Sequence, residues 1–353
     1  MDTALMVEYS KEMKKLRSRV DLASTTFQVN FLESWTRLLE ALSCLHYITT
    51  FIFVGHVSLA ILIYLLFTDL YWISLIYFTW LAYDWNTPCR GARRWMWVRQ
   101  WKIWKRGRDY FPVNLVKTAE LDPSKNYLLG YHPHGVLVFG GFFNFATDAT
   151  GLSTVFPGMK VFLMTLHQMF KMPIFRDYFM LSGSVSVRKD SIEWVLSQNG
   201  VGNVSVVVVG GAPEALDAHP GMHRLSIKAR KGFVKLALVH GADLVPAYTF
   251  GENNAYDQVD NAPGTRLRRF QNIMTKICGF SPPLFYGRGF SLLPYRTPIT
   301  TIVGRPIAVK QTPNPTRDQV ESMHALYIKE LTELFETHKS KYGVLPDQHL
   351  EIV

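Results

Sequence analysis

The hydrophobic pattern of the chain begins with a long apolar stretch. From Leu45 to Tyr83 the only formally charged residue is Asp69. Tyr47–Phe67 gives 21 residues without a charge, enough to cross a bilayer, whereas Tyr71–Tyr83 gives only 13. The pattern predicts a membrane hairpin, either re-entrant or made of two short spans, with Asp69 near the far turn. A buried hairpin in the core of a soluble protein is the alternative.

Beyond residue 110 the hydrophobic pattern alternates between strands and helices. Short runs rich in β-branched residues end at glycine, as buried strands do, and longer amphipathic runs separate them. This alternation favours an α/β domain with a mostly parallel sheet. The predicted strands are Tyr127–Gly130, Val204–Val209, Leu244–Phe250 and Thr300–Val303, and the predicted helices are Asp190–Gln198, Lys231–His240 and Gln319–His338.

Basic residues flank the apolar stretch on both sides, and the chain has a net charge of +10. Because cytosolic flanks of membrane segments are rich in lysine and arginine, we expect both ends of the hairpin to face the cytosol. An anionic membrane surface is the expected partner of this charge. Five cations precede the stretch (Lys11, Lys14, Lys15, Arg17 and Arg19), and eight follow it (Arg90, Arg93, Arg94, Arg99, Lys102, Lys105, Arg106 and Arg108).

Four tryptophans, Trp95, Trp97, Trp101 and Trp104, are interleaved with the eight following cations. Tryptophan and arginine are each half solvated in the lipid headgroup layer, so this pattern predicts an interfacial segment. An amphipathic helix packed on the domain is the alternative, and the two interpretations are compatible.

The sequence also disfavours several classes of function. Cys44, Cys89 and Cys278 are far apart and odd in number, which predicts no disulfide framework and suits a reducing compartment. No helix-turn-helix, RNP or zinc-finger pattern supports nucleic-acid binding. The first 44 residues are polar and charged, so we expect no cleavable signal peptide.

The strongest chemical signal is Tyr131-His132-Pro133-His134-Gly135, at the end of an apolar run. This pattern predicts a buried strand that delivers imidazole to the edge of a pocket. Imidazole can take a proton from a hydroxyl group near neutral pH. Two metal ligands or a structural histidine are the alternatives, but a third ligand is hard to find, so no metal ion is expected.

A carboxylate follows the most β-rich strand, in Gly210-Gly211-Ala212-Pro213-Glu214. Carboxylates rarely lie at a buried strand end without a partner. Glu214 is therefore a candidate to orient the histidine or to stabilise its charged form. A turn glutamate that caps the next helix is the alternative.

Small residues and cations precede the helix predicted at Asp190. Helix N-termini, hydroxyls and cations together suit phosphate groups. Solvated loop charges are the alternative. The candidate phosphate ligands are Ser182, Arg188, Lys189, Arg230 and Lys231.

These motifs together resemble the blocks of the type-2 diacylglycerol acyltransferase family, which also holds monoacylglycerol and wax-alcohol acyltransferases. The resemblance runs from about residue 40 to the C-terminus. The matching blocks are His132-Pro133-His134-Gly135, Tyr110-Phe111-Pro112, Gly210-Gly211-Ala212-Pro213-Glu214, Arg230-Lys231-Gly232-Phe233, Leu244-Val245-Pro246, Phe250-Gly251-Glu252-Asn253 and Gly287-Arg288-Gly289. Gly135, Gly210, Gly211, Pro246 and Arg288 are the expected supporting residues of these blocks.

The family resemblance implies endoplasmic-reticulum and lipid-droplet membranes, acyl-CoA as the acyl donor and triacylglycerol as a product. Acyl-CoA is a co-substrate, and no cofactor is expected. The chain then divides into a cytosolic segment (1–44), a membrane hairpin (45–83), a basic aromatic interfacial segment (84–109) and an acyltransferase domain (110–353).

Two positions depart from the sequence patterns of this family and of broader glycerolipid acyltransferases. Broader glycerolipid acyltransferases carry an aspartate five residues after the histidine, where this chain has Phe139. The acidic partner is therefore expected from elsewhere, with Glu214 first and Glu252 next. Family members usually carry histidine before the Gly-Arg-Gly block, where this chain has Tyr286.

The expected reaction is acyl transfer to the free hydroxyl of diacylglycerol. His134 is the expected general base, paired with Glu214, and His132 is expected to support the loop or the oxyanion. No covalent intermediate is expected, because no cysteine lies in a motif and no Gly-x-Ser-x-Gly elbow is present. The alternatives are a monoacylglycerol or fatty-alcohol acceptor, or a non-catalytic lipid-droplet scaffold. A homo-oligomer is compatible with either.

Overall fold

The computed structural model describes residues 32–353. Within that range, helix α1 (Leu32–Leu65) is the one helix long and apolar enough to cross a membrane, by length and composition. A π-helical stretch at Thr50–Val54 interrupts its regular winding. Because such a helix buries its apolar surface best in lipid, α1 indicates membrane association.

After α1 the chain turns at residues 66–70 and enters α2 (Tyr71–Tyr83). Asp69 lies in that turn, and the Ser74 hydroxyl donates a hydrogen bond to the Leu62 carbonyl (2.7 Å) across the two helices. α2 has 13 residues, fewer than the roughly 20 that a span requires. The turn between the two helices is therefore present, whereas their insertion in the membrane as a hairpin stays a prediction.

The predicted cytosolic segment, residues 1–44, lies mostly outside the described residues, as do its five cations. Its described part, residues 32–44, is continuous with α1 rather than separate from it. Glu40 pairs with Arg296 (2.6 Å), and Cys44 and Tyr47 are buried in the core. The first half of α1 therefore packs on the following domain.

The basic aromatic segment forms a short helix, Met96–Arg99, and α3 (Lys102–Tyr110). Trp95 and Trp97 are exposed, as an interfacial segment requires. Trp104 is fully buried, and its indole N–H donates to the Val98 carbonyl (2.7 Å). Trp104 is therefore packed on the domain, whereas an interfacial position of Trp95 and Trp97 stays a prediction.

A seven-stranded sheet forms the centre of the domain. Its strands are β1 (Val113–Lys117), β2 (Tyr127–His132), β3 (Lys160–Thr165), β4 (Ser184–Ser186), β5 (Asn203–Val208), β6 (Asp243–Phe250) and β7 (Ile299–Val303). Their order in the sheet is β1-β7-β6-β2-β5-β3-β4. β2 is parallel to both of its neighbours, whereas β7 runs antiparallel to β6, with Thr300 opposite Phe250. The mostly parallel sheet is confirmed.

Helices cover the sheet, and short strand pairs lie outside it. The remaining long helices are α4 (Lys189–Ser197), α5 (Gly232–His240), α6 (Arg266–Cys278) and α7 (Arg317–His338). The shorter helical turns are Thr87–Cys89, Phe139–Gly141, Phe142–Ala146, Leu152–Val155, His167–Lys171, Phe175–Leu181, Gly211–Leu216, Glu252–Ala255, Arg288–Phe290 and Lys339–Tyr342. The outer pairs are Arg224–Leu225 with Glu351–Ile352, and Asp257–Gln258 with Phe285–Tyr286.

The two faces of the sheet bury different residues, because side chains alternate along a strand. On β2, Leu129 and Tyr131 belong to the core that also holds Tyr47 of α1. Leu128 belongs to the core on the opposite face, which holds Tyr327 of α7. The side to which a residue near the end of β2 points therefore decides whether it faces α1 or α7.

Candidate active site

His134 lies in the loop that follows β2 and is partly buried. Its Nδ1 is 2.9 Å from the Gly135 carbonyl oxygen. Since a carbonyl can only accept, Nδ1 carries the proton and Nε2 carries the lone pair. Gly135 has a φ of +65°, and a Cβ there would come within 2.5 Å of Glu252 Cγ, which explains the glycine. The loop thus presents an imidazole whose Nε2 can accept a proton.

His134 borders an apolar cavity of about 210 Å³ on the face of the sheet that carries α1. α1 supplies Tyr47 and Phe51 to its wall, so the cavity lies directly beside the membrane helix. Water has few polar partners there, which favours an acyl chain or a lipid acceptor. Further lining residues are Leu137, Phe142, Leu163, Met169, Phe179 and Val187.

Glu214 meets the His134 loop although 80 positions separate the two residues. Its Oε2 accepts from the backbone N–H of His134 (2.7 Å), and its Oε1 accepts from the backbone N–H of Ser226 (2.9 Å). The sequence led us to expect a bond to the imidazole, but the bond is to the backbone, and the Gly135 carbonyl orients the ring. Glu214 therefore holds the position of the loop.

Glu252, the second candidate for the acidic partner, holds the same loop at its other end. Its Oε1 accepts from the backbone N–H of Phe139 (2.7 Å), and its Oε2 accepts from that of Gly140 (2.8 Å) and from the Tyr131 hydroxyl (2.9 Å). The signal for this role was available, because Glu252 follows buried β6 as Glu214 follows buried β5. At Phe139, where broader glycerolipid acyltransferases carry aspartate, the backbone N–H donates to a carboxylate from the turn that follows β6.

Burial sets the protonation of these groups. It lowers the pKa of His134 below its usual 6.5, and the hydrogen bond to Gly135 opposes this effect. His134 is therefore neutral at neutral pH, as a general base must be. Burial raises the pKa of Glu214 and of Glu252 to about 7, although the N–H groups that face their oxygens favour the charged form.

His132, which was expected to support the loop or the oxyanion, does not line the cavity that His134 borders. It is fully buried on the opposite face, where its Nε2 lies 3.0 Å from the Tyr327 hydroxyl. That hydroxyl donates to the Gly130 carbonyl (3.2 Å) and therefore accepts from His132. Burial lowers the pKa of His132 to about 3, so the residue is neutral and ties α7 to β2. An oxyanion role for His132 has no geometric support.

The expected supporting residues of the motifs make local backbone contacts or leave room for neighbouring side chains. A Cβ at Gly210 would lie 2.2 Å from Glu214 Cδ, so glycine makes room for the carboxylate, and Gly211 has a φ of +60°. Pro246 lies in β6 opposite Gly130, and its carbonyl accepts from Gly304 (2.8 Å). Arg288 is exposed, and its backbone N–H donates to the Leu293 carbonyl (2.7 Å).

Of the five candidate phosphate ligands, Ser182 is buried and the four cations reach the surface. Ser182 is fully buried and its hydroxyl donates to the Phe179 carbonyl (2.7 Å), so its burial contradicts a contact with phosphate. Arg188 and Lys189 are exposed beside Val187 of the cavity wall. Arg230 is exposed, and its charge acts on Glu214. Lys231 pairs with Glu321 (3.1 Å).

Known proteins resemble this chain over most of its length. Residues 63–353 match the family described as diacylglycerol acyltransferase. A bovine (Bos taurus) 2-acylglycerol O-acyltransferase 1 is 50% identical over 89% of this chain and 95% of its own length. Diacylglycerol O-acyltransferase 2 of Xenopus tropicalis is 48% identical, over 91% of this chain and 90% of its own. The human (Homo sapiens) protein of that name is 46% identical, over 89% and 82%.

Among solved structures, the 1-acyl-sn-glycerophosphate acyltransferase PlsC from Thermotoga maritima aligns with 84% of this chain and 97% of its own. The TM-score is 0.38 and the sequence identity is 13%.

Proposed function

The chain belongs to the diacylglycerol acyltransferase family, and we propose that it transfers a fatty acyl group from acyl-CoA to the free hydroxyl of diacylglycerol, giving triacylglycerol. The protein is an acyltransferase, since relatives named for that activity are nearly half identical over most of the chain. The single observation that carries the mechanism is His134, whose Nε2 bears a lone pair beside an apolar cavity walled by α1.

His134 acts as the general base. Nε2 takes the hydroxyl proton of diacylglycerol as the hydroxyl oxygen attacks the thioester carbonyl carbon of acyl-CoA. The new C–O bond forms, the C–S bond breaks, and the coenzyme A thiolate leaves and takes the proton from the imidazolium. Glu214 and Glu252 fix the loop so that Nε2 and the acceptor oxygen stay aligned. This alignment lowers the activation free energy by more than the hydrogen bonds to the loop contribute to stability.

The exposed cations beside the cavity suit the phosphate groups of coenzyme A. Arg230 is exposed. Arg188 and Lys189 form exposed ion pairs with Asp190 (3.0 Å) and Glu193 (3.5 Å), and phosphate groups can replace these carboxylates because exposed ion pairs are weak. Lys231 follows Arg230 in sequence and pairs with Glu321. The protein resides in the endoplasmic-reticulum membrane through a hairpin of α1 and α2 with both termini in the cytosol, and it also reaches lipid droplets. The basic residues that follow α2 support this topology.

The test uses the purified full-length chain in nanodiscs with labelled oleoyl-CoA and a panel of acceptors. We expect labelled triacylglycerol with diacylglycerol, and a loss on the order of 100-fold in His134→Gln. Replacement of Tyr286 by Phe, a partly exposed residue outside the cavity, is the matched control and should retain turnover. Normal turnover in His134→Gln would contradict the proposed base.

A second acceptor class is favoured by one observation. The bovine relative that is 50% identical carries the name of a 2-acylglycerol O-acyltransferase. Monoacylglycerol acylation would use the same base, cavity and donor. Comparing kcat/KM for monoacylglycerol and diacylglycerol in the same nanodiscs decides between the two acceptors.

A further inference from the structure

Helix α6 carries a stripe of apolar side chains that are each more than half exposed. Phe270, Ile273 and Ile277 are 56%, 53% and 71% exposed. Their spacing of three and four residues places them on one face of the helix, and exposed Phe280 continues it. A contiguous exposed apolar face of this kind marks an interaction surface.

The opposite side of α6 is fixed to the domain. Arg268 pairs with Asp217 (2.7 Å), and buried Gln271 accepts from Asn261 (3.2 Å) and donates to the Pro282 carbonyl (3.1 Å). The apolar stripe is therefore held outward by defined contacts on the other side of the helix.

The charge of α6 identifies the chemistry of its partner. Arg266, Arg269 and Lys276 are exposed around the stripe, and the helix contains no aspartate or glutamate. A helix with an apolar face bordered by cations suits the boundary between anionic headgroups and acyl chains. A second copy of this basic chain would bring like charges together.

α6 also lies beside the membrane helix. The residues that end it, Gly279, Phe280 and Ser281, line the same cavity as His134 and Tyr47 of α1. Gly279 lies against Gln168, in the His167–Lys171 turn. That turn leads to Pro173, whose carbonyl accepts from Ser58 of α1 (2.7 Å). The stripe, the cavity and α1 are therefore joined through a few contacts.

We propose that α6 is a second membrane contact, lying in the headgroup layer of the leaflet that α1 enters. Phe270, Ile273 and Ile277 insert at the acyl-chain boundary, and the cations meet anionic lipid headgroups. The cavity beside His134 then opens to lipid rather than to water, so a lipid acceptor reaches the base without crossing the aqueous phase.

The first test is independent of enzymatic activity. In full-length protein with Cys89→Ser and Cys278→Ser, an environment-sensitive fluorophore is attached at Ile273→Cys, with Val201→Cys as the matched control. Val201 is 58% exposed in the loop before β5, at the opposite edge of the sheet. Buried Cys44 does not react. The samples are nanodiscs with one protein copy each, containing phosphatidylserine and spin-labelled lipid.

We expect the spin-labelled lipid to quench the label at position 273 several-fold more than the label at 201, and more with phosphatidylserine than with phosphatidylcholine alone. Equal quenching at the two positions overturns the proposal. A blue shift at 273 without lipid quenching also overturns it, because with one copy per disc it reports packing within the protein.

The second test rests on the proposed function. Phe270→Gln, Ile273→Gln and Ile277→Gln together should lower turnover of long-chain diacylglycerol in vesicles several-fold, with turnover of a water-soluble short-chain acceptor unchanged. Val201→Gln, Met222→Gln and Leu326→Gln, three exposed apolar sites elsewhere, are the control. Equal loss on both acceptors overturns the interfacial role. If no acceptor is turned over by the wild type, the proposed function fails while the quenching result stands.

Discussion

Replacing Glu214 with glutamine separates a carboxylate that positions the loop from one that pairs with the imidazole. In the wild type both carboxylate oxygens accept backbone N–H groups, at 2.7 Å from His134 and 2.9 Å from Ser226. Glutamine keeps one acceptor oxygen and turns an NH₂ group towards the other N–H. The variant therefore loses one of the two hydrogen bonds through which this side chain joins His134 to Ser226.

The stability of this variant is the sum of two opposed effects. Losing a hydrogen bond to a charged group costs about 1.5–3 kcal/mol, and the N–H left unpaired costs about 1–3 kcal/mol more. The wild type keeps its carboxylate ionised at pH 8 although burial raises the pKa from 4.5 to about 7, which costs about 3 kcal/mol. Glutamine removes that cost. We therefore expect the free energy of unfolding at pH 8 to lie between about 1 kcal/mol above and about 3 kcal/mol below that of the wild type.

The stability difference between Glu214→Gln and the wild type should depend on pH. A carboxyl group whose pKa is raised in the folded state binds more protons folded than unfolded between pH 4.5 and about 7, so its contribution to stability falls as the pH rises through that window. Glutamine does not titrate. Relative to the wild type, the melting temperature of Glu214→Gln should therefore be lower at pH 5 than at pH 8. Thermal unfolding of the full chain in detergent measures this difference.

The catalytic rate and the pKa of His134 together distinguish the two roles. If Glu214 acts through the backbone of His134, Glu214→Gln lowers kcat on the order of tenfold or more and leaves the pKa of His134, followed by NMR, at its wild-type value. If the carboxylate paired with the imidazole, losing it would lower the pKa of His134 by about one unit. A lowered pKa of His134, or full turnover in the variant, would refute the positioning role.

The remaining predictions concern the other groups of the site and the membrane topology. The acid limb of wild-type kcat/KM should lie no higher than about pH 7, because burial lowers the pKa of His134 below 6.5 and the carboxyl groups that hold its loop have pKa values of about 7; a limb well above pH 7 would argue against this residue. Glu252→Gln should lower kcat with little change in KM, since it releases the backbone of Phe139 and Gly140; a change in KM alone would assign it to substrate binding. His132→Leu should cost about 1–3 kcal/mol of stability and leave turnover within a few-fold, measured by melting and assay together; a loss like that of His134→Gln would restore a catalytic role. Tags at both termini should be cleaved by protease added to sealed microsomes, and protection of one tag would exclude the hairpin.

Local patterns in the sequence determined the secondary structure and the functional groups available at the strand ends. The uncharged stretch before residue 68 became the second half of α1, because burying apolar side chains does not depend on a particular neighbour. The strands ahead of Gly210 and Gly251 and the helix closed by Gly241 were visible for the same reason. The placement of histidine and glutamate at strand ends was also local.

Only the tertiary structure decided which of these groups meet. His132 and His134 are two residues apart, yet one contacts Tyr327 on α7 and the other borders the cavity beside α1, because the chain leaves the strand between them. The bonds from Glu214 and Glu252 to the loop join residues 80 and 113 positions apart. Such contacts depend on the order of β6, β2 and β5 in the sheet. Sequence periodicity records which side chains are buried but not what they are buried against.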